Sequence, residues 1–213
     1  MIRNLLFLTL TLIFVLTGRE VWAQRFHGGI RAGLVASEVS GDNLGGPNKL
    51  GWHAAVYTYT TLSSVSSLRL EIMLIEKGSR AVPSERNDFR EYLFRLQYVE
   101  VPLLWVGDVS SFSSVGFAEK LQLVAGLSAS VLVGYQEEEF GTPVPSTGRQ
   151  PFHPAELNIL LGITHPLGER LMFHFGFSNS LTPIRPHMGG GKTWYNRGQY
   201  NTAWTFGLGY HFW

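Results

Sequence analysis

His174 and Ser178 are four residues apart, and they are residue types that an acyl-transfer site uses as base and nucleophile. On a β-strand, positions four apart share a face but stand about 13 Å from one another, too far to pass a proton. Pairings across strands stay open at this level, such as His53 with a hydroxyl. Glu71 and Glu100 form a second candidate set with Arg31 and Arg69. Such groups in a narrow space either close it as ion pairs and hydrogen bonds or line a path for ions or substrate. Gly189 to Thr193 reads GGGKT, but a phosphate loop needs a glycine where Pro186 stands, with a strand before it and a helix after. The seven histidines occur singly, with no His-Glu-x-x-His and no calcium-loop spacing. No cysteine is present, which removes thiolate ligands, thiol nucleophiles, disulfides and a lipid-modified cysteine anchor. The expectation is therefore no catalytic residue, no metal and no cofactor, with these groups serving as polar lining.

The elements that would position such a lining follow from composition and period. Of 213 residues only 15% are charged and 45% are hydrophobic, whereas a soluble domain carries roughly 25% charged residues. Much of the surface need not face bulk water. Lys and Arg (17) nearly balance Asp and Glu (16), which argues against a nucleic-acid partner. Arg3 precedes an apolar run from Leu5 to Thr17, shorter than the about 20 residues a membrane-spanning helix needs. Val21-Trp22-Ala23 follows, so a signal peptide cleaved after Ala23 is favoured over an uncleaved anchor. The expected organisation is a signal peptide over 1–23 and one domain over 24–213.

After Gln24 no apolar stretch is long enough for a spanning helix, and the recurring pattern has period two. Leu171, Phe173, Phe175 and Phe177 alternate with Met172, His174 and Gly176, and Trp204, Phe206, Leu208, Tyr210 and Phe212 alternate with Thr205, Gly207, Gly209 and His211. Leu157 to Thr164 and Leu68 to Ile75 repeat the pattern, and four weaker segments extend it. Eight strands are expected, near 26–37, 50–60, 67–78, 92–106, 121–135, 154–164, 170–181 and 201–213. Long connections rich in Gly, Pro, Ser and Asn alternate with shorter turns, although 107–120 is long for the short-turn end. The fold class this implies is all-β: an eight-stranded antiparallel up-and-down transmembrane β-barrel.

Alternation alone does not say which face is outside, since a lipocalin-like soluble barrel has the same period with the greasy face inward. Bulk decides in favour of outward, because an eight-stranded interior is too narrow for so many large apolar side chains. The lumen set is then Arg31, His53, Arg69, Glu71, Lys77, Tyr98, Glu100, Glu156, Asn158 and His174. Its three basic side chains balance its three carboxylates. The lipid-facing set is Leu70, Ile72, Val101, Leu103, Phe173, Phe175, Phe177, Phe206 and Leu208. Trp52, Trp105, Tyr135, Trp204 and Tyr210 lie near strand ends on the greasy face, where interfacial aromatic belts occur.

These stretches also resemble a known family. Gly29 to Leu34 (GIRAGL), Gly51 to Tyr57 (GWHAAVY), Leu68 to Gly78 (LRLEIMLIEKG), Tyr98 to Leu104 (YVEVPLL) and Leu123 to Val133, with a final aromatic strand, are similar to the PorT-like outer-membrane β-barrel proteins common in Bacteroidetes. YVEVPLL after a strand ending in Lys-Gly is the most specific element, and the resemblance covers nearly all of 24–213. Trp213 stands where the family more often ends in Phe. The resemblance implies an integral, multi-pass outer-membrane protein of the cell envelope. Its partners would be outer-membrane lipid and lipopolysaccharide, the barrel assembly machinery during insertion, and a secretion or surface partner reached through the loops. The family's namesake is linked to type IX secretion. Arg185, Lys192, Trp194, Tyr195 and Arg197, with His187, make the last long loop basic and aromatic, and they are the loop-contact candidates. The reading is a non-enzymatic barrel in structural, adhesive or secretion-accessory work. The alternatives are a secreted lipocalin-like lipophile carrier, a lipid A-modifying barrel enzyme with a Ser or Glu in reach of His53 or His174, and a narrow pore.

Overall fold

The computed structural model describes residues 26–42, 44, 46–111, 120–144, 151–186 and 198–212. The expected signal peptide over 1–23, the GGGKT segment and the loop candidates Lys192, Trp194, Tyr195 and Arg197 lie outside the described residues. The strands are β1 (Phe26–Ser40), β2 (Lys49–Ser63), β3 (Ser66–Ala81), β4 (Tyr92–Asp108), β5 (Gln122–Glu139), β6 (Thr142–Pro143), β7 (Ala155–Pro166), β8 (Leu171–Ser180) and β9 (Tyr200–His211).

All neighbours pair antiparallel in the order β4-β3-β2-β1-β9-β8-β7-β5, and β4 pairs back onto β5 to close an eight-stranded barrel. β6 is a two-residue addition that the period did not reveal. β5 runs on to Glu139, and the chain turns at Phe140 and Gly141, both with positive φ, to pair Glu138 with Pro143. Closure removes every long free edge. Tight turns join β2 to β3 at Ser64-Val65 and β7 to β8 across Leu167 to Arg170. The connection after β4 begins with a 3-10 turn, Val109–Ser111. Longer connections leave β1, β3, β5 and β8 at the opposite end.

Period two becomes two surfaces of opposite chemistry. Leu34 is 63% exposed, Ile72 58% and Leu127 57%, while Glu71 is 1% and Glu100 0% exposed. A lipocalin-type cup would require the reverse, so the greasy faces line no internal pocket. They form a continuous apolar outer band, far larger than soluble monomers tolerate. The bore is narrow enough that glycine is needed on the inner face. A Cβ on Gly29 would lie 2.3 Å from the Tyr57 hydroxyl, and one on Gly207 would lie 2.6 Å from His174 Nε2. These glycines in β1 and β9 leave the room that the aromatic rings of β2 and β8 fill.

Candidate functional site

The lumen holds three layers. Nearest the tight turns, Arg31 and Arg69 converge on Glu71, with Arg31 Nε donating to Glu71 Oε2 at 2.8 Å and Arg69 Nε 3.0 Å from Oε1. The Arg69 guanidinium lies over the Tyr57 ring, 5.5 Å from its centre. Tyr57 Oη is in turn 3.1 Å from His211 Nδ1. Register explains the convergence: Arg31, Glu71 and Arg69 are inward positions on β1 and β3, with only β2 between them.

Above this layer the rings of His53 and His174 face each other with centres 5.0 Å apart. Arg31 Nη1 is 3.4 Å from each ring nitrogen of His174, whereas the His53 ring makes no side-chain hydrogen bond among the described residues. A partly open space of about 40 Å³ lies at the β7–β8 wall, lined on the inner side by Arg31, Arg69, Met73, Thr164, His174 and Thr205 and on the outer side by Leu161, Ile163, Phe175 and Phe177. That is room for about one or two waters. The neighbour of His174 is a cation, not the Ser178 hydroxyl that shares its strand.

The next layer is built on Lys77. Its Nζ donates to Glu100 Oε2 and to Glu156 Oε1, both at 2.9 Å. Ser128 Oγ donates to Glu100 Oε1 at 2.7 Å, and Asn201 Nδ2 donates to Glu156 Oε2 at 2.7 Å and to the Tyr98 hydroxyl at 3.3 Å. Asn158 Nδ2 completes it by donating to Ser128 and Ser130. The first cluster carries one more cation than carboxylate and this one carries one more carboxylate than cation, so each offsets the other across the low-dielectric bore. All ten residues of the expected lumen set are buried.

Toward the long-loop end the lumen turns apolar. Tyr92, Phe94 and Leu96 of β4 pack with Val35, Val39, Met73, Ile75 and Ile184, and Phe152 packs against them. The inward parity of β4 was readable, but not that loop residues Phe152 and Ile184 would seal it. Arg185 corrects the expectation of an exposed contact. It is buried, because its guanidinium lies 4.5 Å from the Phe152 ring centre and donates to Glu137 Oε1 at 2.9 Å and to Gln199 Oε1 at 2.5 Å. The physical reason is a cation–π stack and an ion pair with a carboxylate of β5 that sequence distance hid. Nearby, Asp42 in the β1–β2 connection is held above the usual carboxylate range by burial, with the Ser79 hydroxyl opposing. Lys49 and Glu76 form a further rim ion pair that the lumen set lacked. Replacing Arg185 by Ala should therefore free the loop ends at Phe152 and Ile184 at a cost of about 1–3 kcal/mol. Limited proteolysis of the folded protein should show faster cleavage near 151–155 and 183–186; an unchanged pattern would mean that Phe152 and Ile184 are held some other way.

On the outer face Leu70, Ile72, Val101, Leu103, Phe173, Phe206 and Leu208 are exposed, while Phe175 and Phe177 are half-buried against Phe206 and Trp204. Trp52, Tyr135 and Trp204 lie toward the long-loop ends of β2, β5 and β9, and Trp105 and Tyr210 toward the tight-turn ends of β4 and β9. Among the described residues no group of three or more His, Asp or Glu side chains could hold a metal ion.

No family model matches the chain. No curated protein matches it either. Among solved structures, it is similar to the attachment invasion locus protein Ail of Yersinia pestis at 14% identity and a TM-score of 0.47, over 87% of this chain and 98% of that one. It is similar to Neisserial surface protein A at 12% identity and 0.43, over 87% and 96%. It is also similar to the outer membrane protein OprG of Pseudomonas aeruginosa at 10% and 0.43, over 89% and 97%.

Proposed function

We propose that this chain is an integral outer-membrane barrel of the PorT-like kind. In this reading it is exported through a signal peptide over 1–23 and does non-enzymatic structural, adhesive or secretion-accessory work through its long-loop end. The observation that carries the reading is the sidedness of the wall: hydrocarbon side chains and a belt of Trp and Tyr outside, ionised groups paired inside. Only a hydrocarbon solvent makes that arrangement favourable, since in water the same band would drive aggregation.

The lumen supports a closed structural element over a pore. Its charges are consumed in ion pairs, and the long-loop end is filled by Tyr92, Phe94 and Ile184. A link to type IX secretion rests on the family resemblance of the strand motifs. Extraction tests the core of the proposal. Membranes from cells expressing the protein should retain it through alkaline carbonate and high salt, and release it only with detergent. Release by carbonate would sink the membrane reading. Loss of cargo secretion on gene deletion would favour the secretion-accessory role over a purely structural one.

A further inference from the structure

Among the described residues the outer wall has a depression over β1 and β2. Ala32 of β1 and Ala54 of β2 are directly paired across the strands, and both point outward. Their neighbours on this face are far larger, so the two methyl groups form the floor of a trough. Val56, Ile72 and Leu74 make one wall, and Leu208, Tyr210 and Leu171 make the other, with Ile30 alongside. Its volume is about 570 Å³, open along its outer side. The floor lies in the pairing row Leu208, Ala32, Ala54 and Leu74, and the row Leu171, Tyr210, Ile30, Val56 and Ile72 borders it on the tight-turn side. Leu171 is the first residue of β8, beside a tight turn, and Ile72 is halfway along β3. The bordering row therefore runs obliquely from the tight-turn rim to the middle of the apolar band, with the depression alongside it.

Its mouth carries charge. Arg170 is exposed on the β7–β8 turn and donates from Nη1 to the Tyr210 hydroxyl at 3.3 Å, so the guanidinium stands over the trough's lower end. Glu169, exposed on the same turn, places a negative charge beside it. An apolar channel of this length ending at a cation and an anion, at the depth of an interfacial tyrosine, complements an acyl chain joined to a zwitterionic phosphate headgroup. Tight turns face the periplasm in barrels of this kind, which puts the mouth in the inner leaflet. A second copy of the chain fits less well: an isologous contact would set trough against trough and leave the space empty.

We infer that the β9–β1–β2–β3 face is a binding site for one inner-leaflet glycerophospholipid, its acyl chain on Ala32 and Ala54 and its phosphate at Arg170. The inference rests on the membrane reading above. The test reconstitutes the folded protein into vesicles containing phosphatidylethanolamine, extracts it in mild detergent and counts retained lipid by native mass spectrometry. Wild type should keep one phosphatidylethanolamine. The Ala32→Leu/Ala54→Leu double variant, which fills the floor, should retain about tenfold less. Arg170→Gln, on an exposed turn, should retain about fivefold less with its folded-form electrophoretic shift unchanged. Equal retention in all three proteins, or dimers in place of the lipid adduct, would overturn the site. Failure of wild type to float with the vesicles on a density gradient would instead sink the membrane reading, and this inference with it. An inserted wild type that keeps no lipid sinks the inference alone.

Discussion

Replacing Lys77 by methionine should destabilise the barrel by about 3–5 kcal/mol, because it strands two buried carboxylates that share one counter-ion. Glu100 and Glu156 each take a 2.9 Å hydrogen bond from the same Nζ, and both are almost fully buried. Ser128 and Asn201 each bind one carboxylate oxygen, but neither supplies charge. The loss should appear as a lower urea midpoint for the folded form in micelles or vesicles, followed by the electrophoretic shift between folded and unfolded barrel. The triple variant Lys77→Met/Glu100→Gln/Glu156→Gln should recover most of it, since it removes both charges that Lys77 neutralised. If Lys77→Met alone shifts stability by less than about 0.5 kcal/mol, the carboxylates must be hydrated and the bore more open than the packing of Phe94 and Leu96 implies.

The second large effect separates lipid from water on the outer wall. Val101 is 42% exposed, lies in the middle of the band, and pairs with Ala129 of β5. An arginine there should cost about 2–4 kcal/mol if acyl chains surround it, against about 0–1 kcal/mol near the interface. Gln97, also outward on β4 and opposite Gly134 toward the long-loop end, provides that interfacial control. Val101→Arg and Gln97→Arg should therefore differ by about 1–4 kcal/mol in refolding equilibria measured in vesicles. In a water-soluble barrel both positions are solvated, and the two substitutions would be equivalent. Equivalence would remove the basis for the proposed location.

Strand type and facing were legible because a strand's side chains have period two, and each substitution in β8 or β9 declares its side locally. Phe173 and His174 need no tertiary information to be assigned to opposite faces. Pairing was not legible in that way. Lys77 and Glu156 are 79 residues apart in the chain, with all of β4, β5 and β6 between them, and Glu137 gives no hint that Arg185 will reach it. Arg185 misled for a physical reason: a basic residue in a loop next to Lys192 and Arg197 reads as solvated. Its guanidinium is instead consumed by an aromatic face and a carboxylate supplied by other elements. The two-residue β6 gave no periodic signal because two residues cannot define a period.

The residues by themselves determined that the chain is a set of eight two-faced strands, poor in charge and without cysteine, whose hydrocarbon had to be segregated from its ions. That follows from local geometry, where successive side chains point to opposite faces whatever lies beyond them. The bulk of the greasy side chains already placed them outside, and only closure of the barrel decided which ions met. A cylinder of eight strands has a fixed bore, and charges brought into it must find partners within a few ångströms of one another. The trough over Ala32 and Ala54 belongs to the same category, since a small side chain becomes a depression only when the neighbouring strands raise their larger residues around it.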